Sequence, residues 1–312
     1  MRVITSEQVK AALELVDFVE PMGRALAAYS RGDVLAAPMS LFEVPGGETH
    51  IKAAVLRGGR RWSVKVVTNV PANAARGLPA AHATVTLFDV DSGQPVVLIQ
   101  DDGGRLTGWR TAAVGAISAQ LLAPPTRTLL VAGTGQQARL QVQAFASIQE
   151  FSRLLIWGRR TDAVGRLAAE LRMMLPQVDV VAVSDLERAV AEAQSVIAAT
   201  ASTEPFLRGE WLRPGHHVTA LGADDLVKRE LDATAFGRAD RVYVDSIAQN
   251  LEVGELRGAV DAGVLDAGSL VELGTLWMNP VPRKPDEITI AKLTGIGVQD
   301  LAAAEVVLER VP

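Results

Sequence analysis

The spacing of hydrophobic positions changes period along this chain, and each change marks a different kind of element. Between residues 6 and 31, Val9, Leu13, Val16, Val19, Met22 and Leu26 recur at helical spacing. They predict a helical stretch capped by Ser6 and kinked or split at Pro21. From 34 to 100 the rhythm shortens. "THIKAAVL", "WSVKVVTNV" and "HATVTLFDV" are β-rich runs separated by Pro45-Gly46-Gly47, Gly58-Gly59 and Asp91-Ser92-Gly93. That texture predicts a mostly antiparallel sheet. Residues 107–123, "TGWRTAAVGAISAQLLA", read as a helix of small residues ended by Pro124-Pro125.

Beyond the two prolines, strands alternate with helices. Apolar runs at 128–132, 153–158, 178–183, 195–200, 216–221 and 241–245 enclose helical stretches at 135–149, 161–174 and 185–193. Such alternation predicts an α/β chain with a doubly wound parallel sheet. The tail adds a strand, 287–293, and a helix, 298–309. A terminal helix after a repeating unit is expected to pack back on the first domain. Two domains follow: a smaller α+β domain over 1–120 completed by 296–312, and the parallel-sheet domain over 121–295.

Composition narrows the function classes. The 312 residues are 48% hydrophobic, with a net charge of −5 and no cysteine. Disulfides, thiol nucleophiles and zinc ribbons are excluded. No Lys/Arg block interleaves with aromatics, which argues against nucleic acid as a partner. The N-terminal "MRVITSEQVKAALELVDF" lacks a signal h-region, and no apolar run approaches the roughly 18 residues of a membrane span. A soluble cytoplasmic protein is expected. The four histidines have no ligand spacing, so no metal site is expected.

Chemistry enters at "TLLVAGTGQQARL", residues 128–140. Gly133-Thr134-Gly135-Gln136-Gln137-Ala138 closes an apolar strand and opens a helix, the context that turns a weak motif into a Rossmann-type dinucleotide site. The first glycine allows the tight turn, the second lets backbone approach a pyrophosphate, and Ala138 lets helix and strand pack closely. Free N–H groups at the helix start face the phosphates. At the tip of the second strand, where an NAD site usually carries an acid, the chain reads Gly158-Arg159-Arg160-Thr161. Guanidinium groups there suit a 2′-phosphate, so NADP(H) is expected to be preferred, with NAD(H) possible.

Three further side chains stand out. Lys65 lies within the apolar run "SVKVVT", either facing solvent or buried for a purpose; strand alternation leaves both open. Arg110 is a lone charge among small residues at a helix start, where a buried guanidinium needs an anion; a surface arginine is the competing reading. Asp224 follows the strand "VTALGA", at a carboxyl end that faces the ligand crevice in a doubly wound fold; a helix cap or loop charge competes.

These pieces together resemble the ornithine cyclodeaminase/mu-crystallin family. The resemblance runs through "VKVVTNVPAN" (64–73), "GLPAAHATVTLFDVDSGQPV" (77–96), "LTGWRTAAVGAISAQLLAP" (106–124) and "VAGTGQQAR" (131–139). It continues in "IWGRRT" (156–161), "ATASTEPFLRGEWLRPGHHVTALGAD" (199–224), "RELD" (229–232), "VYVDS" (242–246) and "EITIAKLTGIGVQDLAAAEVV" (287–307). It implies a Rossmann domain joined to a substrate domain that also dimerises, acting on a carbon–nitrogen bond of a small amino or imino acid. In that likeness Lys65 matches the lysine facing the reacting carbon and nitrogen, Arg110 the arginine on the substrate carboxylate, and Asp224 the general base. Thr84, Thr111 and Thr200 match residues lining the cofactor.

The expected activity is reduction of a cyclic imino acid, or oxidative deamination of an amino acid, by hydride transfer. The alternatives are cyclodeamination with loss of ammonia, and NADPH-dependent binding of a small ligand. The expected assembly is a homodimer. One departure is noted: an arginine usual in the family before the first long strand is replaced in "AAPMSLF" by Met39, with His50, Lys52 and Arg57 as candidates to compensate. The remaining charges receive bland readings. Asp101-Asp102 is expected at a hairpin tip, Arg60-Arg61 with Trp62 at a solvated edge, and Asp300 in a first helical turn serving the helix dipole, with no catalytic role. One of His216 and His217 is expected to be buried, and Trp277 and Met278 are left without a role.

Overall fold

The computed structural model describes residues 1–312 apart from Ala74. In chain order the elements begin with β1 (Arg2–Ile4), α1 (Ser6–Ala12), α2 (Val19–Ser30), β2 (Val34–Ala36) and β3 (Ser40–Val44). Next come β4 (Gly47–Leu56), β5 (Arg61–Asn69), β6 (Ala81–Asp89), β7 (Pro95–Asp102) and α3 (Arg105–Leu122). They continue as β8 (Thr128–Ala132), α4 (Gln136–Ala146), β9 (Arg153–Trp157), α5 (Thr161–Met174), β10 (Asp179–Ala182), α6 (Leu186–Glu192) and β11 (Ser195–Ala198). Then follow β12 (His217–Ala220), α7 (Ala233–Arg238), β13 (Arg241–Val244), α8 (Ile247–Glu252) and α9 (Leu256–Asp261). The chain ends with β14 (Val271–Glu272), α10 (Leu273–Met278), β15 (Thr289–Lys292) and α11 (Gly297–Arg310). It divides into two compact units, Met1–Val114 with Gly295–Pro312, and Gly115–Thr294.

In the first unit the strands order as β1-β7-β6-β5-β4-β2, with β3 also on β4. All pairings there are antiparallel except β1 with β7. Buried positions alternate along β4 to β7, as a sheet covered on one face requires. Lys52, Lys65, Val85 and Ile99 are in register across that buried face. Helix α11 packs on the sheet at β4, β5 and β6, and α2 packs on α11; Met22 and Leu26 of α2 and Leu301 and Val307 of α11 are buried.

Local chemistry shifts several expected boundaries. The helical run breaks before Pro21: α1 ends at Ala12, Leu15–Phe18 forms a 3-10 turn, and Pro21 falls in the first turn of α2. Proline is tolerated there because that N–H has no intrahelical acceptor. Thr5, not Ser6, caps α1, through a capping box with Gln8. Ser6 instead bridges strand backbone, donating to the Gln100 carbonyl at 3.0 Å and accepting from the Asp102 N–H at 2.7 Å. Asp101 is not at a hairpin tip. It closes β7, is buried, and accepts from the N–H groups of Leu106 and Thr107, so it anchors the start of α3. Arg60 is exposed, as expected of a solvated edge, whereas Arg61 is tied to Glu305 of α11 at 2.8 Å and Trp62 stacks on Phe88, both half-buried.

The second unit carries an eight-stranded, wholly parallel sheet ordered β10-β9-β8-β11-β12-β15-β13-β14. Every residue of β8, β11, β12 and β15 is buried, as in strands covered on both faces. Strand order reverses between β8 and β11, the switch point where such sheets bind ligands. The tail strand β15 inserts between β12 and β13. His216 and His217 are both buried. Burial pushes His217 down to about 3, so it sits neutral among Ser118, Thr219 and Thr289.

Candidate functional site

In the first unit, strand alternation sends Lys65 inward, where it is 1% exposed. Its Nζ donates to Asp300 Oδ1 at 2.7 Å. Arg110, one and a half turns into α3, reaches the same oxygen with Nε at 3.0 Å, and its Nη1 donates to Gln299 Oε1 at 3.0 Å. The two sequence-predicted residues Lys65 and Arg110 are thus brought together by Asp300, in the first turn of α11. The acid expected to serve only a helix dipole is buried between two cations.

Lys52 joins this cluster. It lies opposite Lys65 in register, is buried, and its Nζ donates to the Gly295 carbonyl at 2.6 Å. Gly295 has φ +75, and a methyl there would come within 2.7 Å of Arg110 Nη1. Only glycine permits both that backbone and the guanidinium beside it. Asp300 Oδ2 and Gln299 Nε2 are buried with no hydrogen-bond partner among the described residues. Burial drives Lys65 down to about 7, helped by the charges of Arg110 and Lys52 and opposed by Asp300. Burial pushes the Asp300 carboxyl up, but Arg110, Lys65 and Lys52 outweigh it and hold it below its ordinary value. The cluster therefore holds an ionised carboxylate, a permanent guanidinium and a lysine poised to exchange a proton near neutrality.

In the second unit, β8 runs into Gly133, whose φ of +133 and close approach to the Ala199 carbonyl leave no room for a side chain. Ala138 is fully buried under the turn. Gly135 caps α4 with no side-chain hydrogen bond, and a β-carbon built there meets nothing within 4 Å. The start of an eleven-residue helix, with space in front of Gly135, fits a pyrophosphate. Thr134 and Gln137 are half-buried and Gln136 exposed along the same turn. At the tip of β9, Arg159, Arg160 and Thr161 are exposed. The nearest acid, Asp162, is held by Arg166 at 2.8 Å.

Thr200 and Asp224 lie on the loops after β11 and β12. The Thr200 N–H and hydroxyl both donate to Glu230 Oε1, at 2.6 and 3.0 Å, while Gly222 N–H donates to Glu230 Oε2 at 2.7 Å. Glu230 is fully buried, and burial raises its pKa. Its own N–H donates to Glu255, which burial pushes up to about 7. Lys292 donates to the Ala223 carbonyl at 2.6 Å. This network fixes the loop that presents Asp224, whose partly exposed carboxylate accepts from Lys228 at 3.1 Å. Glu230, within the "RELD" segment, has no role in the sequence analysis because its partner Thr200 lies 30 positions away. Thr111 donates to the Thr107 carbonyl within α3. Thr84 is exposed and, by strand alternation, lies on the opposite face of the sheet from Lys65.

The family model for the ornithine cyclodeaminase/mu-crystallin family matches residues 1–312. An iminosuccinate reductase of Paracoccus denitrificans is 35% identical over 81% of this chain and 76% of its own. A Delta(1)-pyrroline-2-carboxylate reductase of Colwellia psychrerythraea is 30% identical over 99% of both chains. The crystal structure of the Paracoccus denitrificans iminosuccinate reductase in complex with NAD+ superposes with a TM-score of 0.89, at 29% identity, covering 99% of this chain and 95% of that one. With the Rossmann-type sheet and the Gly133 turn already in place, this match along the whole length means that the chain belongs to the ornithine cyclodeaminase/mu-crystallin family.

Proposed function

We propose that this protein is an NAD(P)H-dependent oxidoreductase that reduces the carbon–nitrogen double bond of a small imino acid, cyclic or open-chain, or in the other direction oxidises the amino acid. The observation that carries this reading is the buried Lys65–Asp300–Arg110 cluster, in which one carboxylate serves two cations. A buried excess of positive charge calls for an anionic ligand. A lysine with a pKa of about 7 beside it supplies the proton that imine reduction consumes. The names of the two relatives above, both reductases of imino acids, support it.

In this mechanism the cofactor, when bound, supplies the hydride. Gly133, Thr134, Gly135, Gln136 and Gln137 cradle its pyrophosphate, and Arg159, Arg160 and Thr161 take a 2′-phosphate, so NADP(H) is the proposed preference. Thr200 and Thr111 are the proposed contacts nearer its reactive end. Arg110 holds the substrate carboxylate and thereby orients the reacting carbon. Lys65 Nζ gives its proton to the imine nitrogen as that nitrogen becomes an amine. Asp300 keeps Lys65 aimed and partly protonated against the two neighbouring cations. In oxidative deamination of an open-chain amino acid, once hydride loss has left an iminium, Asp224 is the proposed base for the water that adds to its carbon, with ammonia leaving and a 2-oxo acid formed. The proposed assembly is a homodimer, in keeping with the exposed Leu35 and Phe42 of the outer strands β2 and β3.

The test is NADPH consumption with a panel of cyclic ketimine acids and of 2-oxo acids with amines. Steady oxidation of NADPH supports the reading, and no turnover across the panel rejects it. Release of ammonia from a diamino acid without net change in cofactor redox state would assign cyclodeamination instead.

A further inference from the structure

We infer that Lys52 is a carboxylate-binding residue, the second cation of a clamp whose first is Arg110, and that it sets the selectivity of the site for acids. The inference rests on the imino-acid reading for the substrate, but its structural basis is independent of that reading.

A lysine within a long strand has an easy course: it turns outward or lets its ammonium reach water. Lys52 takes neither. It sits midway along β4 and is 4% exposed. Directly across the strand pair is Lys65, 1% exposed. Two lysines in register on one buried face repel, and directly opposed like charges weaken a strand pair. A purely structural site would carry an apolar residue at one of the two positions.

The ammonium of Lys52 is led to the same spot as the guanidinium of Arg110. Its Nζ rests on the Gly295 carbonyl at 2.6 Å, and Gly295 is the residue whose missing side chain lets Arg110 Nη1 approach. Two cations therefore flank one glycine. Arg110 spends Nε on Asp300 and Nη1 on Gln299, which leaves the Nη2 edge without a hydrogen bond among the described residues. Beside it the Gln299 amide nitrogen is buried and unpartnered. A buried donor left unmade carries a real cost, so donors that converge without a protein acceptor point to an acceptor that arrives from outside.

Charge gives the same answer. Lys52, Lys65 and Arg110 bring three cationic side chains into the interior around the carboxylate of Asp300. One arriving carboxylate, held by Arg110 and Lys52, leaves Asp300 to Lys65. That division frees Lys65 for proton transfer, since the residue that donates the proton no longer also serves as the anchor.

The experiment compares Lys52→Gln, Lys52→Met and Lys52→Arg with the unaltered protein. Each is assayed with NADPH and either 1-pyrroline-2-carboxylate or 1-pyrroline, the same ring without the acid. Binding of the unreactive pyrrole-2-carboxylate to the NADPH-loaded protein is measured by calorimetry, and Tm is recorded for each variant. Lys52→Gln keeps a donor for the Gly295 carbonyl but removes the charge. Loss of one charge-assisted hydrogen bond is expected to raise the KM for the acid and the Kd for pyrrole-2-carboxylate by roughly tenfold or more. The preference for acid over plain ring, as a ratio of kcat/KM, should fall by a similar factor, and Lys52→Arg should restore most of it. A Lys52→Gln protein with normal acid preference and normal Kd overturns the inference. So does a fall in Tm in Lys52→Met with acid preference intact, which marks a purely structural lysine. An unaltered protein that binds pyrrole-2-carboxylate through Lys52 but turns over no imine would reject the proposed activity and leave the clamp standing.

Discussion

The Lys65 ammonium and the Asp300 carboxylate meet at 2.7 Å inside the first unit, each 2% exposed or less. A buried pair of this kind is costly to break, because the surviving partner keeps its charge without its counterion. Here the survivors would be two cations, since Arg110 leans on the same oxygen at 3.0 Å. Asp300→Asn is therefore expected to lose roughly 3–5 kcal/mol of stability near neutrality. The loss should be largest at acid pH and shrink as pH rises through about 7, where Lys65 sheds its proton and the repulsion with Arg110 disappears. Thermal melts across pH check both the size and the trend.

Activity should carry the same titration. Lys65 is drawn down to about 7 by burial and by its cationic neighbours. With Lys65 as the proposed proton donor to the imine, the protonated form would be the active one, and kcat/KM is expected to fall as pH rises through about 7. Carboxylate binding adds a negative charge beside the lysine and raises its pKa. The falling limb of kcat should consequently lie at higher pH than that of kcat/KM.

Stability responds to the same proton with a definite sign. The folded-state value of about 7 lies below the ordinary 10.5, so between those pH values the unfolded chain binds more protons and stability rises with pH. The contribution is complete above 10.5 and absent below about 7. Lys65→Met, which cannot titrate, should flatten this part of the rise. The difference between denaturant titrations of the two proteins isolates it.

The two glycines of the nucleotide turn are expected to fail differently. Gly133→Ala places a methyl 2.3 Å from the Ala199 carbonyl at φ +133, so the fold itself suffers and Tm drops. Gly135→Val meets no protein atom, because nothing lies within 4 Å of its β-carbon and its φ is −88. That variant should fold with nearly normal Tm yet bind cofactor roughly tenfold or more weakly, as the side chain fills the space proposed for the phosphates. Fluorescence titration with NADPH beside a melting curve separates the two.

Cofactor choice is proposed to reside in the exposed Arg159 and Arg160. Replacing both by Ala should raise the KM for NADPH by roughly 10- to 100-fold, the loss of one or two charge-assisted hydrogen bonds. The KM for NADH should stay within about twofold, since no 2′-phosphate is involved. A parallel loss for both coenzymes would remove these arginines from the site.

What the sequence reveals depends on how local the physics is. The Gly133 turn was legible because its constraint, a tight backbone at a strand end, involves neighbouring residues. The alternation of apolar strands and helices announced the parallel sheet for the same reason, although the insertion of β15 between β12 and β13 has no local sign. Lys65 was visible but ambiguous: period-two alternation says which residues share a face and not which face is buried. Asp300 carried no signal. Its partner Lys65 is 235 positions away, and an acid in a first helical turn already has a sufficient local explanation. Ser6 was misplaced as the cap because Thr5, one position earlier, also carries a hydroxyl, and only the reciprocal bond with Gln8 separates them.

Asp224 offers the sharpest separation between catalysis and architecture. Its loop is fixed from beneath by Glu230, which ties Gly222 to Thr200, and by Lys292 on the Ala223 carbonyl. The Asp224 carboxylate accepts from Lys228, which also reaches Asp225 at 2.9 Å, so the loop keeps an ion pair when Asp224 is lost. Asp224→Asn should therefore leave Tm and NADPH affinity almost unchanged. If Asp224 activates water, oxidation of the amino acid falls by roughly 10²- to 10⁴-fold, the usual yield of a general base. Lys228→Met, which spares the carboxylate, should cost far less. A variant at 224 that melts early but still turns over would make this acid a loop support and leave the oxidative direction without its proposed base.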